Sequence, residues 1–481
     1  MDNSCYDFMG IIVKLVEQKK VEYYDISYSS VMDETIVVLN GIIEEIKTGS
    51  HKSISLRVLK DGAFGFSSHA LTSDKVTNQL VKEACDQAQA VASINKEKIT
   101  LTEERTYEDA VFPIIKTDPF TIPNSTKIDL LVDASQSSLA ISDRIKLSRV
   151  SYCALKEKSI LWTSEGTKIE QENVRCGVGV MNAASEAGQT QQRLLPNVHG
   201  NFSTLGFEYI ETLDLVETAE KSAREALLLL QGRKCPDTAS DLVLAPDQLS
   251  LQILLTCANS FELDRVLGVE EGYASSFLRP QMLGNQLGNE NFTLIADASI
   301  LGGLGSFFYD REGVPAQRTV LVNKGVVKAF LCSRDTAPKI DQHYSNGAAR
   351  AEDFSKFPLV RGTNCLLDVG NWKSSEIIED TRDGYLFEGA SEWVIDAVGD
   401  QFRFGSQIGY RIKNGERMEV IKRPVYLGKT TRFFKTMDAV SDKHGFEMYG
   451  YWSFPKGLPA QKIPVGAGCP VVRFKNTKIG N

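Results

Sequence analysis

The chain has 481 residues, 42% of them hydrophobic and 24% charged, with a net charge of −8. That length exceeds one modest core and calls for two or three domains. The acidic balance excludes a broad electrostatic grip on nucleic acid, and no apolar run approaches the roughly 18 residues of a membrane span.

Residues 7 to 20 predict the first helix. Phe8, Ile11, Ile12, Leu15 and Val16 make one apolar face, and the interrupting Lys14 and Glu17 suit an amphipathic helix better than a signal peptide. Asp25-Ile-Ser-Tyr-Ser and Thr35-Ile-Val-Val-Leu-Asn read as two strands. Lys60-Asp61-Gly62 joins two further strands as a hairpin. Ser73-Asp74 is the expected cap of a helix reaching about Ile94. Another helix is expected over 126–140. Strands follow at 146–155 and 159–163, then from Ser164 and over 175–181. Thr212 is the expected N-cap of a long helix to about Gln231. Lys234-Cys-Pro-Asp marks a domain junction.

From 241 the pattern changes. Asp241-Leu-Val-Leu-Ala predicts a buried strand, with a helix around 247–259. Asn323-Lys-Gly and Asn414-Gly415 then punctuate short strands, as in a large β-rich domain. Gly302-Gly-Leu-Gly-Ser lacks the Lys-Ser/Thr of a P-loop and reads as a loop. The expected class is α+β. A sheet-plus-helices domain spans 1–235 and a β-rich domain spans 236–481.

Nine widely spaced cysteines with no CxxC make neither a disulfide framework nor a zinc ribbon. Reduced, buried thiols in a cytoplasmic protein are expected. The five histidines, His51, His69, His199, His343 and His444, form no chelating pair.

Several segments, in order, resemble the TldD/PmbA family, also called U62 peptidases or modulators of DNA gyrase. They are Asp61-Gly-Ala-Phe-Gly-Phe, Ser164-Glu-Gly-Thr-Lys-Ile-Glu-Gln, Glu262-Leu-Asp-Arg-Val-Leu-Gly, Gly313-Val-Pro-Ala-Gln-Arg-Thr-Val-Leu and Ser345-Asn-Gly-Ala-Ala-Arg-Ala-Glu. Pro358-Leu-Val-Arg-Gly-Thr-Asn, Phe404-Gly-Ser-Gln-Ile-Gly-Tyr and Pro459-Ala-Gln complete the set. The Glu-Leu-Asp-Arg block places the chain nearer the TldD branch.

In active members of that branch, the resemblance implies a His-Glu-x-x-x-His helix before this block and a cysteine near the C-terminus. Two such histidines share one side of a helix and reach one zinc, and the glutamate is the general base. Here the first histidine falls on Leu254, the glutamate on Leu255, the second histidine on Asn259 and the cysteine on Phe454. Leu and Phe offer a metal no lone pair, and Asn offers a weak oxygen. The resemblance thus implies a family fold with no zinc and no zinc-dependent proteolysis.

Cys257 reads first as a small buried residue, since a catalytic thiol needs a base and a lowered pKa. Glu262, Asp264 and Arg265 read first as an ion-pair cluster, and second as walls of a cleft. Arg350 and Glu352 carry the same two readings. Arg361, Thr363 and Asn364 are expected to hold loop backbone.

Two functions are open at this point. One is a non-catalytic subunit that binds a peptide or small molecule, or that pairs as a homodimer or as a heterodimer with a metal-bearing homologue. The other is a metal-free enzyme, for example in natural-product biosynthesis, with Glu262, Asp264, Glu352, His343 or Tyr309 as acid/base groups. Neither needs nucleic acid or membrane.

Overall fold

A computed structural model describes residues 4–71, 76–95, 97–269, 275–353 and 355–480. Helix α1 (Ser4–Glu17) precedes the hairpin of β1 (Tyr23–Leu39), β2 (Ile42–Lys60) and β3 (Ala63–Ala70). Asp61 and Gly62 turn the second corner with φ of 56° and 79°, as the Asp-Gly pair predicts. Helix α2 (Val76–Ile94) follows; the expected cap at Ser73-Asp74 lies outside the described residues. Next come β4 (Glu108–Val111), α3 (Asn124–Ala140), β5 (Ile145–Thr163), β6 (Lys168–Glu186), β7 (Gln189–Leu195) and β8 (Asn201–Ser203). Helices α4 (Glu208–Thr212) and α5 (Leu215–Leu230) complete this half.

The sheet order is β3-β2-β1-β5-β6-β4, with β7 and β8 also on β6. The strands are longer than expected. Residues 25–29 and 35–39 belong to one 17-residue strand, which ends just before the expected Asn40, and 146–155 and 159–163 to one of 19 residues. The glutamates in the stretches that read as breaks are buried and paired: Lys127 Nζ donates to Glu34 at 2.5 Å, and Arg311 meets Glu157 at 3.3 Å. The buried face of α1 is Cys5, Met9, Ile12 and Val16, and the expected Ile11 is 42% exposed. Thr212 caps nothing; Asp214 accepts from the Glu217 N–H at 2.9 Å and starts α5.

Alternation along β1 decides what each face does. Tyr24, Ile26 and Tyr28 pack under α1 and α2, while Ile36 and Val38 pack under α3 and α5. Gly65 lets β3 approach α2, where a methyl would collide with the Ala84 carbonyl and Ala88. The opposite face is polar and nonetheless buried: Asp25, Ser27, Ser29, Ser53, Ser55 and Arg57 lie against the second half of the chain.

In that half a strand at Arg233–Lys234 already pairs with Glu416–Lys422, just before the expected junction. Asp383–Ile395, Thr238–Leu244, Val472–Gly480, Val425–Lys429 and Gln401–Lys413 neighbour one another in that order, and the last pairs back to the first to close a ring. A six-stranded sheet runs Val326–Val327, Arg318–Asn323, Leu294–Asp297, Asn364–Leu367, Gln461–Cys469, Glu447–Lys456. The strand expected over 326–331 is thus confined to its first two residues. Both predicted hairpin turns are present, Lys324-Gly325 and Asn414-Gly415, each with positive φ. The largest apolar core fills this half around the helical segment 246–261.

Candidate functional site

The segment expected as a helix over 247–259 is α6 (Pro246–Gln252), then a wider π turn at Ile253–Cys257 and a tighter 3-10 turn at Ala258–Phe261. Its hydroxyls are satisfied locally: Thr256 Oγ1 donates to the Gln252 carbonyl and Ser260 Oγ to that of Thr256, both at 2.9 Å. Ser250 Oγ and Tyr451 Oη lie 2.8 Å apart, and the Tyr426 hydroxyl donates to Gln252 at 2.8 Å. Leu254 and Cys257 are 1% exposed within the large core. Burial pushes the Cys257 thiol up to about 12, the opposite of what a nucleophile needs. Leu255 and Asn259 are half-buried. Phe454 belongs to the same core; its carbonyl accepts from Arg361 Nη2 at 2.8 Å, and the Arg361 guanidinium lies 5.4 Å from its ring centroid.

Immediately after this segment comes a buried charge cluster. Lys456 Nζ donates to Glu262 Oε2 at 2.9 Å, to both Asp264 oxygens at 2.7 and 2.8 Å, and to the Val360 carbonyl at 2.7 Å. Arg265 Nε is 2.9 Å and Arg361 Nη1 3.8 Å from Glu262, which also accepts the Gly362 N–H at 3.0 Å. Burial alone would raise the Glu262 carboxyl, but Lys456, Arg361 and Arg265 together hold it below the ordinary range. Burial prevails at Asp264, which is raised.

An open cleft with about 40 Å³ of enclosed space lies between the two halves. Glu157, Asn173 and Arg175 line it from β5 and β6; Phe307, Arg311, Arg350, Glu352, Ile463 and Pro464 line it from the other side. Arg350 donates to the carbonyls of Gly362 at 2.7 Å and Pro464 at 2.8 Å, not to Glu352. Burial lowers Arg350, Arg311 and Arg175, and mutual repulsion adds to it at Arg350 and Arg311. Tyr309 also lines the cleft, its hydroxyl held by Asp109 at 2.9 Å.

Of the singled-out residues, the structure gathers Glu262, Asp264 and Arg265 in the charge cluster and Arg350 and Glu352 at the cleft. Cys257 sits in the apolar core, and His343 is exposed after the turn Ala337–Ile340. Sequence reading did not find Lys456 or Arg175. The carboxylates that Lys456 holds lie more than 190 residues away in sequence, and the arginines that join Arg175 at the cleft come from positions 311 and 350, so no local spacing marks either residue. Asn364 does hold backbone, donating to the Asp297 carbonyl and accepting from the Gly305 N–H, whereas the Thr363 hydroxyl has no partner among the described residues.

Residues 240–481 match the PmbA/TldA metallopeptidase C-terminal domain, 24–92 match domain 1 of that family and 117–230 its central domain. The chain belongs to the TldD/PmbA family. A metalloprotease of Methanocaldococcus jannaschii is 30% identical over 94% of this TldD/PmbA chain and 96% of its own length. A metalloprotease of Methanothermobacter thermautotrophicus is 29% identical over 98% of each. Among solved structures, TldE of Thermococcus kodakarensis has a TM-score of 0.76 at 17% identity, covering 98% of this chain and 100% of its own. A Thermotoga maritima protein described as a modulator of a DNA gyrase has a TM-score of 0.80 at 18% identity, covering 98% and 99%. These structures show the same fold.

Proposed function

We propose that this chain is a TldD/PmbA homologue that has given up zinc chemistry and serves as a peptide-binding or partner subunit in peptide processing. The observation that carries the reading is the burial of Leu254 and Phe454 in one apolar core, at the positions where the family resemblance implies a histidine and a cysteine ligand. The metal that a metallopeptidase fold implies does not fit these side chains. Neither Leu nor Phe has a donor atom, and the Lys456 ammonium already occupies the carboxylates that follow. Among the described residues, no group of three His, Cys, Asp or Glu side chains could hold a metal ion. No helix among them is long and apolar enough to cross a membrane.

Such a subunit would act as a homodimer or beside a metal-bearing homologue. Elemental analysis of the purified chain, with an assay on an unfolded protein substrate, tests the loss of the metal site. The expected result is no stoichiometric metal, no cleavage, and a melting temperature that a chelator leaves unchanged. Stoichiometric zinc with chelator-sensitive cleavage would overturn the reading. Co-purification with a metal-bearing homologue from a co-expressing cell tests the partner role.

A further inference from the structure

We propose that the cleft between the two halves binds a carboxylate, with Arg175 as its anchor and the C-terminus of a short peptide as its occupant. This deepens the peptide-binding reading, and rests on it for the choice of a peptide. The arginine cluster itself is independent of whether zinc is bound.

Arg175, on β6, is 7% exposed, and its Nε has no hydrogen-bond partner among the described residues. The charged groups around it are largely committed elsewhere. Glu157 Oε1 receives Arg311 Nη2 and the Ser29 hydroxyl, each at 3.3 Å. Asp310 accepts three backbone N–H groups, from Glu312, Val314 and Ala349, at 2.8 to 3.0 Å. Both terminal nitrogens of Arg350 donate to carbonyl oxygens. Half-buried Glu352 is the remaining carboxylate of the lining. Three guanidinium groups, of Arg175 on one wall and of Arg311 and Arg350 on the other, therefore line the cleft with fewer uncommitted negative charges.

Glu157 is the charge that acts on Arg175, yet the buried Nε donor is left without a hydrogen bond, which carries a desolvation penalty. Buried polar groups left open in this way call for an explanation, and a ligand supplies one. The planar fork of arginine matches a carboxylate, which can take two parallel N–H donors. Phe307, Ile463 and Pro464 give the same cleft an apolar flank. A terminal peptide residue needs both surfaces, whereas a free phosphate uses the arginines alone.

Calorimetric titration of the full chain with N-acetyl-Ala-Ala-Phe, its C-terminal amide and inorganic phosphate tests the assignment. The free acid should bind, with the amide weaker by about tenfold or more, since hydrogen bonds to a charged group are at stake. Arg175→Gln should lose the acid by a similar factor, and Arg175→Lys should lose only part of it. Equal binding of acid and amide, or an unaffected Arg175→Gln, would overturn the proposal. Phosphate binding without acid binding would also overturn it, in favour of a free anion. If Arg175→Gln does not fold, the acid–amide comparison on the unaltered chain decides alone. Stoichiometric zinc would sink the loss of the metal site, yet leave the acid–amide difference standing.

Discussion

One ammonium group, on Lys456, serves two carboxylates and a carbonyl at 2.7 to 2.9 Å with no exposed side-chain surface. Removing one member of such a buried cluster strands the others. Lys456→Met should therefore destabilise the protein by about 3–5 kcal/mol in urea unfolding, although methionine fills most of the volume. A cost near zero would mean that the two carboxylates are held by Arg265 and Arg361 alone. Glu262 carries a pH signature. Its folded carboxyl titrates below the ordinary 4.5, so ionisation stabilises the fold fully above that value and less as pH falls below it. The stability gap between wild type and Glu262→Gln should be largest at neutral pH and narrow below about pH 4.5. Asp264, raised by burial, works in the opposite sense, which is why the comparison is made at Glu262.

At the scale of elements, the start of α5 corrects the N-cap expected at Thr212. Asp214 rather than Thr212 holds the first turn. Asp214→Ala should cost about 1 kcal/mol in thermal unfolding, and Thr212→Ala much less. Elements whose signal is local were legible: the Asp61-Gly62, Lys324-Gly325 and Asn414-Gly415 turns, and the helices α2 and α3. Strand lengths were not. Glu34 and Glu157 look like interruptions until Lys127 and Arg311 arrive from distant parts of the chain. The same limit applied to the site. The apolar residues at 254, 255 and 454 could be read directly, whereas the pairing of Lys456 with Glu262 spans 194 residues and leaves no periodic trace.

Across the whole molecule, charged side chains join the halves. Arg57 donates to Asp25 at 2.7 Å and to Glu312 at 3.0 Å. Arg334 pairs with Glu165 and with the Thr102 carbonyl, while its own N–H goes to Glu312. Arg193 reaches Glu225 and Asp247. A double-mutant cycle on Arg57→Ala and Glu312→Ala should show single costs of about 3–5 kcal/mol and a coupling of about 0.5–3 kcal/mol. Additive effects would remove the pair from the junction.

Greasy surfaces attract each other at many offsets, because contact area barely depends on a small slide. Hydrogen-bonded ions do not: each contact holds only over a narrow range of distance and angle. The polar underside of β1, β2, β5 and β6 therefore works as a positional code, accepting the second half in a single setting. The cleft takes one wall from each half, so its width is fixed by the same code. Its occupant would meet a slot of preset gauge.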